Sequence, residues 1–232
     1  MIIELRHGDK KAVVDTNGGY LINYADENGD IIYPKRVITT ENGEQKTRGG
    51  SHVCMPNFGP GGESGQDQHG YGRSSEWNIA ESGDNNVEFT LEGQGDYSDM
   101  PAKLRYELTD SGLAMELQLV NNGSSVLEVG PAFHPYFMTG DHMVVDGESF
   151  DMEAYKEMVL SDESDEKLIN TNHRTIMLKS TNMPFWAQWS DRLSGYFCIE
   201  PSYGGFTFVS ENHRRTDTLQ PGEAKSYKLE VN

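Results

Sequence analysis

The chain repeats one pattern from end to end: short segments of alternating apolar and polar residues, cut by turn residues. Val87, Phe89 and Leu91 alternate with Glu88, Thr90 and Glu92, and Leu104, Tyr106 and Leu108 with Lys103, Arg105 and Glu107. After Asp110-Ser111-Gly112 the period resumes in Leu113, Met115, Leu117 and Leu119, and it returns at the C-terminus in Tyr227, Leu229 and Val231. Successive side chains of a strand point to opposite faces, so a period of two marks a strand with one buried face. A sheet with one solvated face is typically antiparallel. The segments around Asp110-Ser111-Gly112 therefore read as a long antiparallel hairpin. Ala12 to Asp15, Tyr20 to Tyr24 and Ile31 to Tyr33 add earlier strands, the last after an Asn28-Gly29 turn, and Asn122-Gly123 turns toward Val126 to Gly130. No amphipathic helix of three turns interrupts the pattern. The expectation is an all-β, antiparallel fold. No Pro-rich or Ser/Gly linker divides the 232 residues. One domain over 1–232 is expected, a length ordinary for one large sandwich or barrel and sufficient for a sizeable core.

Composition excludes some partners. Acidic residues number 37 against 19 basic, a net charge of -18, which repels nucleic acid and anionic membrane surfaces. No apolar run is long enough to cross a bilayer. Met1 to His7 resembles neither a signal nor a transit peptide. Cys54 and Cys198 lie among apolar neighbours without a C-x-x-C pair, as expected of free thiols in a reducing cytoplasm. The acidic run Ser161 to Lys167 reads as a solvated loop.

Against this background a few stretches carry chemistry. Gly130 to Phe137 reads G-P-A-F-H-P-Y-F. Pro135 donates no backbone hydrogen bond and pushes His134 toward extended geometry, so His134 is expected at a strand end or an edge, held by aromatics. Imidazole suits proton transfer near neutral pH; a packed structural histidine is the competing reading. Tyr196 to Gly205 reads Y-F-C-I-E-P-S-Y-G-G. Glu200 ends an apolar run, where a carboxylate is unusual, and is either a proton acceptor or a buried ion-pair partner. His69 to Trp77 reads H-G-Y-G-R-S-S-E-W; its glycine-rich bend lets His69 and Arg73 face one cavity. Arg73 offers a rigid fork of donors for hydroxyls or an anion. Trp77 is core or the wall of a sugar site. Arg48 precedes Gly49-Gly50, a pair that permits positive φ or close approach, and either aims at a pocket or lies on a turn. Asp191, in W-A-Q-W-S-D-R-L, orients a hydroxyl or a histidine, or caps a turn. No histidine spacing suits zinc, no phosphate loop is present, and no nucleophile elbow supports Ser/His/Asp chemistry. What is left is one carboxylate and several histidines, with arginines to bind. That set suits proton movement on a hydroxylated ligand without cofactor or metal.

Taken in order, R-G-G-x(5)-P-x-F-G, H-G-x-x-R-x(3)-W, H-P-Y-F, C-I-E-P and L-x-P-G-E, spread from Arg48 to Glu223, resemble the aldose 1-epimerases, most of all the hexose-6-phosphate mutarotase branch. The resemblance implies a large antiparallel β-supersandwich of the galactose mutarotase type, acting on a sugar or sugar phosphate. It implies Glu200 as general base on the anomeric hydroxyl and His134 as general acid on the ring oxygen. It implies substrate contacts from His69, Arg73 and Arg48, and less directly from Asp191. The chain departs from the pattern at Ser51-His52, where Ile-Pro is usual, and at Gly72, where alanine is usual. A non-catalytic carbohydrate-binding or regulatory protein is the alternative; retention of both His134 and Glu200 argues against it. A hydrolase would want two carboxylates flanking a bond, and the motifs offer only Glu200.

Overall fold

The strand Leu113–Val120 buries Leu113, Met115, Leu117 and Leu119 and leaves the residues between them half-exposed. Burying each such side chain contributes about 1.5–3 kcal/mol in gross terms, so the two-residue period fixes which face turns inward. Its partner Ala102–Leu108 pairs in the expected hairpin register, Leu104 opposite Leu117 and Tyr106 opposite Met115. The computed structural model describes residues 1–139, 143–149, 155–161, 163–209 and 215–232.

Two antiparallel sheets of nine strands each account for most of the described residues. One runs Ile2–His7, Lys10–Asp15, Tyr20–Asp26, Gly29–Ile32, Ala132–Met138, Tyr196–Ser202, Phe185–Trp189 and Val159–Leu160, with Ser51–Cys54 pairing both Ala132–Met138 and Tyr20–Asp26. The other runs Glu148–Ser149, Met143–Val145, Glu166–Thr171, Thr175–Thr181, Ala224–Val231, Leu113–Val120, Ala102–Leu108, Asn86–Leu91 and Asn78–Ser82. Their inner faces share one core, in which Leu5, Val14 and Leu21 join Phe89, Leu104, Leu117 and Leu229. The Tyr106 hydroxyl crosses between the sheets and donates to the Gly19 carbonyl at 2.6 Å. Helix among the described residues is limited to three short 3-10 turns. The expected all-β antiparallel sandwich is what the chain forms.

Three local expectations change. His134 lies not at an edge but within the central strand Ala132–Met138. Glu200 does not end its strand, which continues through Pro201 to Ser202. One physical reason covers both. Ala132 pairs with Ser202, and Tyr136 with Cys198, but no partners are made between them. Pro135 and Pro201 both fall in this gap, where a missing N–H breaks no ladder bond. The acidic run also ends in structure rather than loop: Lys167 is buried in Glu166–Thr171 and its ammonium reaches Asp146 at 2.6 Å. Asp162 lies outside the described residues.

Candidate active site

The gap in the ladder builds the site. The registers on either side of it set His134 directly across from Glu200. Directly opposed residues of an antiparallel pair point to the same face with Cβ atoms about 4.5–5.5 Å apart. Nε2 of His134 and Oε2 of Glu200 are 3.4 Å apart, with side chains 8% and 2% exposed. They are not aligned for a hydrogen bond, and Oε2 of Glu200 and Nδ1 of His134 have no hydrogen-bond partner among the described residues. On the other side of Ala132–Met138, His52 pairs with His134 across the strand Ser51–Cys54, and their rings stack at 4.7 Å. Tyr136, two residues along, stacks on His134 at 4.9 Å.

The glycine pair brings the next groups in. The hairpin Arg36–Thr39 and Gln45–Arg48 ends at Arg48, and Gly49 and Gly50 then take φ of +92° and +73°. A side chain at Gly50 would lie 2.3 Å from the Leu21 carbonyl, so only glycine lets the chain turn there into the sheet. The bend after His69 forms a single 3-10 turn, Gly72–Ser74, which carries Arg73. Arg48, His52, His69, Arg73, His134 and Glu200 thereby line one cavity of about 270 Å³, walled by Phe58, Tyr136, Trp189 and Phe206. That is near the lower end of the about 300–1,000 Å³ typical of small-molecule pockets.

Burial sets the protonation states. It pushes the Glu200 carboxyl well above the usual carboxylate range. It pushes His134 well below the usual histidine value, aided by His69 and Arg73 against an opposing backbone hydrogen bond. His52 is lowered likewise, by burial and then by His134 and His69. His69 is pushed down to about 3 by burial and Arg73. A ring nitrogen of His134, Sγ of Cys198 and a carboxylate oxygen of Glu200 lie within 4.8 Å of one another, a donor set of metal type. Arg48 and Arg73 line the same cavity, and burial keeps the Cys198 thiol protonated. The group is therefore better suited to sharing a proton than to holding a cation.

A family model for aldose 1-epimerase matches residues 1–168. The chain belongs to the aldose 1-epimerase family. Solved structures with this fold include a galactose mutarotase-like protein from Lactobacillus casei, 16% identical with a TM-score of 0.82, covering 100% of this chain and 99% of that one. A galactose mutarotase related enzyme from Lactobacillus acidophilus is 14% identical, with a TM-score of 0.77 over 100% and 97% of the two chains. At such identities the likeness shows the fold. No curated protein matches the sequence.

The cavity thus gathers His134, Glu200, His69, Arg73 and Arg48 in one aldose 1-epimerase fold. Asp191 stands behind them. Its Oδ2 accepts from Nε of Arg48 at 2.8 Å, and its Oδ1 accepts from the Tyr196 hydroxyl and the Leu193 N–H. It is not among the residues lining the cavity. Trp77 belongs to the core, 1% exposed, with its indole N–H on the Gly72 carbonyl at 2.9 Å. His52 is the pocket residue that motif reading passes over. The signal was its place in the departure Ser51-His52, where a polar ring replaces the family's Ile-Pro.

Three buried histidines with lowered pKa values make a testable link to stability. The unfolded chain takes up their protons from about pH 6.5 downward, and the folded chain does not, so stability falls with pH below that point. Glu200, with its pKa raised, opposes this while it gains its proton in the folded state. Chemical denaturation is expected to show net proton uptake on unfolding that rises from near zero at pH 7 to about two at pH 5, three protons taken up by the histidines less the one Glu200 releases, each worth about 1.4 kcal/mol per pH unit. His52→Phe should remove one of them. A stability flat to pH 5 contradicts the buried neutral state of these rings.

Proposed function

We propose that the chain, as a single domain, interconverts the α and β anomers of an aldose through Glu200 and His134. The observation that carries this reading is their direct opposition across the ladder gap, at 3.4 Å, in a buried pocket. Glu200 takes the proton of the anomeric hydroxyl as His134 gives one to the ring oxygen. The bond from C1 to the ring oxygen breaks and the C1 carbonyl forms. Rotation about C1–C2 and reversal of both transfers close the ring to the other anomer. The pair holds one proton throughout. With the ring closed it is carboxylate and imidazolium; with the ring open it is carboxylic acid and neutral imidazole. The second state is the one burial favours for both groups, so the site supports the open-chain sugar. Two titratable groups 3.4 Å apart should titrate as a unit, and the rate should be bell-shaped in pH. The test is anomer exchange on glucose by the wild type and by Glu200→Gln.

The arginines bear on substrate charge. Arg48 is committed to Asp191 at 2.8 Å, whereas Arg73 is exposed and pairs with no carboxylate among the described residues. Arg73 therefore supports an anionic substituent such as a 6-phosphate, and screening confines the adverse field of the acidic surface to about 8 Å at physiological salt. Arg73→Ala is expected to weaken glucose 6-phosphate binding in calorimetry about tenfold, a loss of one charge-assisted contact, with little change for glucose. Equal losses for both sugars contradict a phosphate site at Arg73.

A further inference from the structure

His69 holds an unusual backbone, with φ of +63° followed by +68° at Gly70. The left-handed region holds only a few per cent of non-glycine residues, with asparagine, aspartate and histidine enriched among them. Reciprocal bonds hold it there. The His69 N–H donates to the Gly59 carbonyl at 2.8 Å, and the Gly59 N–H donates back to Nδ1 of His69 at 3.2 Å. We propose that Gly59, positioned by Asn57, fixes the Nε2–H tautomer of His69, so that His69 is a permanent hydrogen-bond donor on the cavity side and takes no part in proton transfer.

A backbone N–H can only donate, so the nitrogen facing Gly59 must offer a lone pair. The second neighbour of Nδ1 is compatible: the Cys54 sulfur lies 3.5 Å away, and burial keeps its thiol protonated, so it has an S–H to donate to a bare Nδ1. A neutral imidazole with a bare Nδ1 carries its proton on Nε2. Gln68, which also lines the cavity, has its amide nitrogen 3.3 Å from Nε2 as placed; a proton on Nε2 requires that amide to be turned so that its oxygen accepts, and the tautomer therefore rests on the Gly59 N–H. Burial holds His69 near a pKa of about 3, so the donor persists across the neutral range. Asn57 is fully buried and donates through Nδ2 to the carbonyls of Gly59 at 3.0 Å and Asp67 at 3.3 Å, tying both ends of the loop that precedes His69. Gly59 is itself at φ +77°, and a side chain there would lie 2.2 Å from the Phe206 ring. The ring oxygen of a sugar only accepts, and a fixed N–H suits it. That last step rests on the anomer-exchange reading; the tautomer does not.

Long-range ¹H–¹⁵N correlation spectra of the ¹⁵N-histidine-labelled free protein test the assignment. His69 should show a protonated Nε2 and a bare Nδ1, unchanged from pH 5 to pH 8. An Nδ1–H tautomer, or titration inside that range, overturns the proposal. Asn57→Ala should yield a tautomer mixture at His69, with a melting curve to confirm folding; a wholly Nε2–H ring in folded Asn57→Ala removes Asn57 from the account. His69→Gln keeps an N–H donor but cannot move a proton. It should exchange glucose anomers within about tenfold of wild type, whereas His69→Leu should lose about 10²-fold, the effect of removing one transition-state donor. Equal losses in the two variants contradict the donor role. A correct tautomer in a protein without anomer exchange overturns the function and leaves the tautomer standing.

Discussion

Glu200→Gln and His134→Asn are each expected to slow anomer exchange by at least about 10²-fold while leaving a folded protein, the loss typical of a positioned acid or base. Glutamine keeps the shape of the carboxyl and can still hydrogen-bond a hydroxyl, but it cannot accept a proton at neutral pH. The two substitutions differ in their effect on stability. Glu200 is 2% exposed, and its Oε2 lacks a hydrogen-bond partner among the described residues. A buried carboxyl in that state costs folding free energy, so Glu200→Gln should melt at or above the wild-type temperature. His134→Asn gives up the stacking on His52 and Tyr136 and should melt somewhat lower. A loss of rate with unchanged or increased stability separates a catalytic carboxylate from a structural one. An inactive Glu200→Gln that is also strongly destabilised would point instead to a structural carboxyl.

Trp77→Ala is expected to cost about 3–5 kcal/mol of stability, the range for truncating a buried tryptophan. The indole packs in the shared core of the two sheets and lies against Gly19, where an added Cβ would come within 3.2 Å of the ring nitrogen. Its backbone N–H donates to the Thr16 carbonyl at 2.9 Å. Trp77 thus anchors the end of the segment that begins at His69, and its loss should loosen Arg73 as well. Urea denaturation measures the effect. A cost below about 1 kcal/mol with a large loss of sugar binding would return Trp77 to the wall of a sugar site, since large destabilisation is tied to cavity formation.

Much of the fold was legible because period-two alternation is a local property. Leu113 to Leu119 announce their buried face without reference to any other strand. The pairing of distant strands is not local, and the sites of error show it. His134-Pro135 and Glu200-Pro201 each read as a strand end, since proline cannot donate to a ladder. In the fold the two prolines face a common gap, and each excuses the other. The same gap is what sets His134 against Glu200, so the feature that misled the reading of the strands is the feature that makes the site. His52 was marked in the sequence only as a departure from the family pattern; only the pairing of Ser51–Cys54 with Ala132–Met138 shows that its ring stacks on His134. Asp191 was legible as acidic but not as the partner of Arg48, because hydrophobic period and motif spacing carry no information about which distant charges meet.

The central claim is that Glu200 and His134 share one proton and use it to open a sugar ring. Saturation-transfer NMR of anomer exchange tests it most directly, with glucose, galactose, xylose and glucose 6-phosphate offered in turn to wild type and to Glu200→Gln. The account predicts exchange well above the uncatalysed rate for at least one of these sugars in the wild type, reduced at least about 10²-fold in the folded variant. Wild-type protein that binds a sugar but leaves its anomer exchange at the uncatalysed rate, or a folded Glu200→Gln with full activity, would contradict it.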